Sequence, residues 1–417
     1  MRCFVLCLLI PGWALSAPLG LVDALNLARS THERAALAEV AVRRARANVE
    51  VAWAAVYPRV ALGATGQLND RSIERQGRTT QPLALAGTQL VVDARLFEGR
   101  ALPGVDRAEA LATAAALQSR FDIETLAFTV ADAWYAAWVA TRLREAAERT
   151  VNTAAENLEV VRTRREVGKA LGVDEAQAQL RAVQASEVLT RATALEASTL
   201  DLLGVLVGQE GPLELGEPPP VAAEVQPDVP TATTRLDVRA LEATARAAQV
   251  LVDAAWMEFL PSVGLRGTAG ITTAEAADGE HYAGALLLTL EWVIFDAGRR
   301  ARHEQQAVEV ADTQLRAAQR TREARFWVRQ ARRDVATLTA TGSTAEQALQ
   351  LARESRTQVL ARYRAGRATA FELVEAEDAL RQAELDRVAR TLELYRARLA
   401  LFEALGLDPL GQEIPTP

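Results

Sequence analysis

The sequence predicts a mainly helical fold with a small β part, in which a unit of helix, β-hairpin, long helix and shorter helix occurs twice. Of its 417 residues, 49% are hydrophobic and only 5% are aromatic, a composition typical of long, closely packed helices. Residues 53–66 resemble residues 256–270, and Phe97 recurs as Phe295. This internal similarity predicts two structural repeats that are joined by a linker.

The N-terminal segment, residues 1–16, is predicted to be a secretory signal peptide. One positive residue precedes an apolar stretch over residues 3–10, and small residues precede the expected cleavage site before Ala17. Cys3 and Cys7, the two cysteines of the sequence, would be removed with this segment. We therefore expect an exported mature chain without disulfide bonds.

The first repeat is expected over residues 17–207. Residues 105–167 contain no glycine or proline, and their apolar residues follow a heptad spacing that favours a left-handed coiled coil. At 1.5 Å per residue, this helix would be about 95 Å long. The helices predicted at 22–57 and 173–203 are together about as long, so we expect them to line it end to end. The strands of this repeat are predicted at about 58–69 and 83–97.

The end-to-end arrangement predicts that the long helix changes its packing partner near position 141. Arg144 is the only polar residue in the heptad seam, and it corresponds to Gly342, the only glycine or proline between Arg299 and Ala365. We expect both residues to mark the change of partner. The alternative is that the two residues coincide by chance.

The second repeat is expected over residues 231–405. A proline-rich linker at residues 208–230 separates it from the first repeat, because proline cannot continue a helix. A C-terminal tail follows at residues 406–417. The strands of this repeat are predicted at about 261–271 and 284–295.

The four predicted strands alternate apolar and polar residues. In the fourth strand, one face is formed by Leu286, Leu288, Leu290, Trp292 and Ile294, and the other by Leu287, Thr289 and Glu291. Each run has about the length that a tilted transmembrane strand requires. A soluble sheet with one core face would show the same alternation, so the pattern alone leaves both alternatives open.

Export, and the lack of another predicted core that could cover these strands, favour a transmembrane barrel. Four strands cannot close a barrel, and an open sheet edge cannot lie in lipid. Closure therefore requires several chains, and three copies would give twelve strands. The polar segments at residues 69–82 and 272–283 join paired strands and are expected to be outer loops.

Each long helix ends at a glycine that is followed, six positions later, by an acidic residue. Gly168 precedes Asp174, and Gly366 precedes Glu372, with Glu375 one turn further on. Glycine takes the left-handed conformation that reverses a helix without steric cost. We therefore expect two antiparallel helix pairs. Their tips are predicted at residues 168–174 and 366–375.

Together, the signal peptide, the duplicated unit, the phenylalanine–acid–glycine–arginine sequence after the second strand of each repeat and the glycine tips resemble the TolC-type outer-membrane efflux proteins. The resemblance covers essentially the whole mature chain. It implies a homotrimeric channel-tunnel in the outer membrane of a Gram-negative bacterium. A twelve-stranded β-barrel in contact with lipid would continue into a coiled-coil barrel across the periplasm, with the linker and the tail forming a belt near mid-tunnel.

The resemblance also implies a passive exit duct for small molecules or polypeptides. The helical tips, with their two glycine turns, would dock on a periplasmic adaptor protein and an inner-membrane transporter. Glu372 and Glu375 occupy the positions of acid rings at the periplasmic gate. Asp174, Tyr363 and Arg367 match residues whose contacts restrain that gate, although Arg367 lies one residue earlier than the arginine of the family. Alternatively, these charged residues form a solvated helix face.

No enzyme site and no cofactor are predicted. The three histidines, His32, His281 and His303, are scattered over different elements, so they form neither a metal cluster nor a catalytic triad. The net charge of −7 gives no indication of a nucleic-acid partner. The main alternative function is a secreted structural coiled coil without a pore, which leaves the strand pairs unexplained. A simple porin is disfavoured because most of the chain is helical, and the sequence does not distinguish drugs, metal ions and polypeptides as cargo.

Overall fold

The computed structural model describes residues 18–75, 78–81, 83–209, 211–219, 235–273 and 281–414. The predicted signal peptide and most of the predicted linker's second half lie outside these residues. The chain forms two compact units. The sheet unit comprises Ala38–Arg120 and Leu236–Arg322, and the tip unit comprises Phe121–Arg235, Glu323–Pro417 and the N-terminal residues up to Leu37.

The described elements follow the predicted order in both repeats. In the first repeat they are α1 (Leu21–Thr31), α2 (Glu33–Trp53), β1 (Arg59–Leu68), β2 (Ile73–Arg75), β3 (Arg78–Gln81), β4 (Ala84–Phe97), α3 (Ala101–Glu166) and α4 (Gly172–Val207). In the second repeat they are α5 (Leu236–Asp253), a 3-10 turn (Ala255–Phe259), β5 (Ser262–Thr272), β6 (Tyr282–Glu291), α6 (Ala297–Arg364) and α7 (Ala370–Leu405). None of the helices that the structure describes is long and apolar enough to cross a membrane.

In the sheet unit, four antiparallel strands pair in the order β1-β4-β5-β6, so β1 and β6 form the two edges. Asp93 of β4 lies opposite both Arg59 and Arg266, and Arg266 lies opposite Leu287. Because side chains alternate along each strand, this register sorts the whole sheet into two faces. One face contains the polar residues Thr65, Gln67, Gln89, Asp93, Arg95, Arg266, Thr268, Thr289 and Glu291, together with the apolar residues Leu85, Val91 and Leu287. The other contains Val60, Leu62, Leu68, Leu90, Val92, Leu96, Val263, Leu265, Leu286, Leu288 and Leu290.

The fourth strand is shorter than the sequence predicts. It ends at Glu291, so its predicted extension to residue 295 is wrong. The indole Nε1 of Trp292 donates a hydrogen bond to the carbonyl of Phe259 at 3.0 Å, and the chain therefore leaves the sheet toward the 3-10 turn. The segment at 69–82, expected to be a plain loop, contains the short antiparallel pair of β2 and β3.

In the tip unit, a hydrophobic cluster lies where α1 and α3 meet the ends of α4 and α7. Trp134 of α3 is fully buried in this cluster, and its indole donates a hydrogen bond to the carbonyl of Leu19 at 3.0 Å. Leu21 and Leu25 of α1 and Leu405 of α7 are buried around it. Burial of a side chain of this size contributes about 1.5–3 kcal/mol to stability. The cluster therefore stabilises the packing of α1 against the middle of α3.

The single helix predicted at 22–57 is two helices, because the chain breaks at His32. This residue adopts an extended backbone with ψ of 138°. Its Nδ1 accepts a hydrogen bond from the backbone N–H of Arg34 at 3.1 Å, and the hydroxyls of Ser30 and Thr31 bond to the carbonyl of Leu27. Hydrogen bonds of these polar side chains thus compete with the backbone hydrogen bonds of the helix at this point. The His32 imidazole caps the N-terminus of α2.

The shorter helices meet end to end in the first repeat. Thr31, at the α1–α2 junction, donates a hydrogen bond from its Oγ1 to the carbonyl of Val207 at the end of α4, at 3.1 Å. Arg144 does not mark this junction, because it forms an ion pair with Glu196, well inside α4, at 2.7 Å. The prediction that Arg144 marks the change of partner is therefore wrong. An arginine occurs in the heptad seam because it forms an ion pair with Glu196 of the adjacent helix.

Gly342 does not mark a junction either. A methyl group at this position of α6 would meet nothing within 4 Å. One turn later, Glu346 forms an ion pair with Arg387 of α7 at 2.7 Å, so this part of α6 lies beside the middle of α7 and not at its end, Leu405.

Candidate functional site at the helical tips

Both tips are closed by the same backbone turn. Gly168 and Gly366 have φ of 73° and 72°, the left-handed region that glycine enters without strain. At the second tip, the N–H of Gly366 bonds to the carbonyl of Tyr363 and the N–H of Arg367 to that of Arg362, at 3.0 and 2.8 Å. This is a Schellman motif, and the first tip repeats it. Both glycines therefore lie in left-handed turns that end the long helices.

The returning helices begin differently at the two tips. At the second tip, the Glu372 carboxylate accepts a hydrogen bond from the N–H of Thr369 at 2.6 Å, and the N–H of Glu372 bonds to the Thr369 hydroxyl at 3.2 Å. This is a complete capping box. At the first tip, Asp174 accepts a bond from the N–H of Leu171 at 2.8 Å. The Leu171 side chain has no oxygen that could accept a hydrogen bond from the N–H of Asp174, so only half of the capping box forms.

Glu372 is exposed, and its carboxylate is engaged in capping its own helix. Hydrogen bonds from the backbone and the hydroxyl of Thr369 lower the pKa of this carboxyl, and the charge of Arg362 acts in the same direction. Glu375 is also exposed. The sequence Thr-x-x-Glu before a helix is a capping-box signature that sequence reasoning missed.

Tyr363 is buried, with 5% of its surface exposed, and its partner comes from the first repeat. The Arg164 guanidinium lies 4.2 Å from the centre of the Tyr363 ring and donates a hydrogen bond to its carbonyl at 3.0 Å. A cation over an aromatic face is favourable by about 0.5–1 kcal/mol or more. Arg164 was not singled out in the sequence, where its position beside other arginines gives no signal of this role.

The predicted restraint residues are only partly brought together. Asp174 and Tyr363 line the same groove between α3, α4, α6 and α7, which has a volume of about 570 Å³. Within the described residues, however, Asp174 bonds to its own helix start and not to the tyrosine. Arg367 contributes its backbone N–H to the turn, and its side chain is exposed.

A polar cluster that the sequence did not reveal lies in the same groove. Asn157 of α3 donates a hydrogen bond to Glu377 of α7 at 2.5 Å, and Arg356 of α6 lies 3.8 Å from the same carboxylate. Burial raises the pKa of Glu377 above its ordinary value. The adjacent Asp378 forms an ion pair with Arg181 of α4 at 3.1 Å. The cluster therefore joins all four helices just above the tips.

Within the described ranges, no group of three or more histidine, cysteine, aspartate or glutamate residues could hold a metal ion. The arrangement offers turns, caps and interhelical polar contacts. These contacts position helices and charge; they do not form a reaction centre.

The family model described as outer membrane efflux protein matches residues 24–202 and 231–407. Among solved structures, the outer membrane protein VceC of Vibrio cholerae is 19% identical, with a TM-score of 0.80 over 93% of this chain and 96% of VceC. CusC is 18% identical, with a TM-score of 0.82 over 94% of this chain and 96% of CusC.

A third similar structure is the open state of the MtrE outer membrane channel of Neisseria gonorrhoeae. It is 20% identical, with a TM-score of 0.78 over 95% of this chain and 91% of MtrE. These likenesses show that the fold is shared. Among curated proteins, none matches this chain significantly.

Proposed function

The chain belongs to the outer membrane efflux protein family, and we propose that three copies of it form a passive exit duct for small molecules or polypeptides. Each copy is an outer-membrane channel-tunnel protein that extends into the periplasm. The family consists of transport ducts and not of enzymes.

The division of the sheet into two faces supports the duct most directly. On the apolar face, Leu286, Leu288 and Leu290 are 76%, 65% and 67% exposed, which is costly in water and favourable in lipid. On the polar face, Arg266 forms an ion pair with Asp93 of the neighbouring strand at 2.5 Å. Such a pair suits the wall of a water-filled lumen.

The open edges of the sheet support closure by several copies. Both β1 and β6 present backbone groups on one side that need partners in lipid. Because the sheet has an even number of antiparallel strands, β6 of one copy can pair in antiparallel fashion with β1 of the next. Three copies then give the twelve strands of a closed barrel.

We also propose that the helical tips dock on a periplasmic adaptor protein and an inner-membrane transporter. Both tips expose apolar side chains, which are unusual on a solvated turn and typical of interaction sites. These are Val167, Leu171, Val173 and Phe371, exposed by 63%, 69%, 56% and 67%.

In the trimer, Glu372 and Glu375 would form two rings of three carboxylates at the periplasmic mouth. Crowded carboxylates attract cations and repel anions, so the duct should be cation-selective. We expect Glu372→Gln/Glu375→Gln to weaken this selectivity. Glutamine keeps the capping box, so the change removes charge without removing the cap. Glu354→Gln is the matched control, because Glu354 is equally acidic but lies away from the tip.

Planar-bilayer recording of the detergent-purified mature protein tests the duct, and native mass spectrometry tests the trimer. We expect discrete channels and the mass of three chains. A water-soluble monomer that forms no channels would contradict the proposal and favour the structural coiled coil. Identical reversal potentials for the wild type and the double glutamine variant across a salt gradient would contradict the acid rings alone.

A further inference from the structure

The charged residues on the polar face of the sheet are confined to one band, at the strand ends that join the helices. We call this set the charged band, and it consists of Arg59, Asp93, Arg95, Arg266 and Glu291. From Ala61 to the far end of the sheet, the polar face of the four strands carries no charged residue. Any electrostatic selection by the sheet must therefore occur at the charged band.

The ion pairs of the charged band leave an excess of positive charge. Arg266 pairs with Asp93 at 2.5 Å, and Arg95 pairs with Glu98 at 2.8 Å. Arg59 lies opposite Asp93 in the register, is exposed and has no ion pair among the residues that the structure describes. Asp93 thus lies between two arginines, so this stretch of the face has two guanidinium charges for one carboxylate.

Other acidic residues of the sheet unit lie far from Arg59 along the strands. Glu291 is paired in register with Ser262, four positions from Arg266 and therefore about 13 Å away. Residues 76–77, 82 and 274–280, which the structure does not describe, come after the opposite strand ends at Leu68 and Thr272. These ends are about 30 Å and 20 Å from the level of Arg59.

Two apolar side chains lie beside the charged band on the same face. Leu287 is directly opposite Arg266, and Val91 is two positions from Asp93 along β4. Leu287 is 54% exposed, and Val91 is half-buried. A leucine on the wall of a water-filled lumen is unfavourable unless an apolar molecule covers it. The face therefore presents a cation and an apolar surface side by side.

We propose that this part of the lumen binds anionic amphiphiles, molecules that carry a carboxylate, sulfate or phosphate group on an apolar body. The inference rests on the duct of the proposed function and names a class of cargo for it. The anionic group accepts charge-assisted hydrogen bonds from the Arg59 guanidinium, which are about twice as strong as neutral ones. The apolar body covers Leu287 and Val91. Inorganic anions and organic cations each match only one of these two features.

Block of the single-channel current in planar bilayers tests the site. The probe is hexyl sulfate, and the two comparison ions are inorganic sulfate, which lacks the apolar body, and hexyltrimethylammonium, which has the opposite charge. We expect hexyl sulfate to block the wild-type channel at the lowest concentration of the three. Arg59→Gln should weaken this block about tenfold, because it removes a hydrogen bond between charged groups.

Leu287→Ser separates the apolar contact from the charge. It should weaken the block by hexyl sulfate about fivefold, because it removes apolar contact area, and should leave the effect of inorganic sulfate unchanged. Arg71→Gln is the matched control for charge, because Arg71 is also exposed but lies beyond the other end of β1. We expect the block of this variant to equal that of the wild type.

The outcomes distinguish the site from the duct itself. Equal block of the wild type and Arg59→Gln, in channels of normal conductance, would overturn this inference and leave the proposed function standing. Stronger block in Glu291→Gln without an effect of Arg59→Gln would overturn it in favour of an ion pair between these two residues across neighbouring copies. Unchanged block in Leu287→Ser would overturn the assignment to amphiphiles. A wild-type protein that forms no channels would overturn both proposals.

Discussion

The two tips share a backbone turn but are held by different side chains. At the first tip, Arg165 forms an ion pair with Glu175, which lies on the helix that returns from the same turn. At the second tip, the residue in the equivalent position is Tyr363, and its partner Arg164 comes from the other repeat. The first tip therefore has a side-chain ion pair within its own repeat, whereas Tyr363 at the equivalent position of the second tip contacts an arginine of the first tip.

This difference shows which features a duplication must keep. The turn depends on a local requirement, a residue that tolerates positive φ, so both copies retain glycine. Side-chain contacts depend on which helix lies opposite, and that differs between the repeats. Separation of the two tips accordingly requires the contact between Arg164 and Tyr363 to break.

The largest effect is expected from the turns themselves. Gly168→Val and Gly366→Val should each destabilise their tip by about 2 kcal/mol, because a branched side chain is strained at positive φ. Neither site has an atom within 4 Å of the added Cβ, so the cost should be equal at both tips. Hydrogen exchange of tip peptides measures it.

Gly342→Ala serves as the control, because Gly342 also faces open space but lies inside a helix. Here alanine should stabilise by about 0.5–1 kcal/mol. Clearly unequal losses at the two tips would mean that the turns are not equivalent.

The contact between repeats should distinguish the tips. Arg164→Ala should destabilise the second tip by about 1–2 kcal/mol, because it removes a cation–π contact and a hydrogen bond at a partly buried site. Arg165→Ala should have little effect, since its side chain is 56% exposed in the ion pair and solvent weakens such pairs. Hydrogen-exchange rates over residues 363–375 measure the difference between the two variants. A larger effect of Arg165→Ala than of Arg164→Ala would contradict the role assigned to Arg164.

The caps should give a smaller effect. Thr369→Ala removes the hydroxyl of the capping box and should cost about 1 kcal/mol at the second tip. Leu171→Thr would complete the box at the first tip and should stabilise it by up to about 1 kcal/mol. Thermal melting of the purified variants checks both, and a destabilising Leu171→Thr would show that an apolar residue is needed at that tip.

Acidification should have the smallest effect on stability. The contributions of Glu377 and Glu372 should change in opposite directions. The pKa of Glu377 is raised, so its stabilising contribution is present below the ordinary value of 4.5 and is lost as the pH rises through the folded-state pKa. The pKa of Glu372 is lowered, so its contribution is present above 4.5 and is lost as the pH falls through the folded-state pKa.

Melting temperatures between pH 7 and pH 4 test the sign for Glu377. As the pH falls from 7 toward 4.5, we expect a rise in the melting temperature that Glu377→Gln abolishes. The first repeat has an exposed glutamine, Gln179, at the position equivalent to Glu377, so Gln179→Glu is a control that adds a carboxylate without burial. A rise that persists in Glu377→Gln would assign the effect to other groups.

Local pattern alone predicted much of the fold and part of the site. The repeats, the long helices, the strand alternation and both glycine turns follow from periodicity and from the conformational freedom of glycine, which act over a few residues. The capping box at Thr369 and Glu372 was equally local and could have been found. The break at His32 could not, because two helices joined by one extended residue preserve nearly the same apolar spacing.

Only the tertiary structure decided which charged residues meet. Arg164 contacts a residue 199 positions away, and Asn157 contacts Glu377 220 positions away. Many arginines and acids share the same helical spacing, so sequence offers no preference among them. Their partners depend on which helices lie side by side, and their pKa values depend on the burial that this packing creates. The sequence therefore determined the helices and their turns, whereas packing determined how the tips are held together.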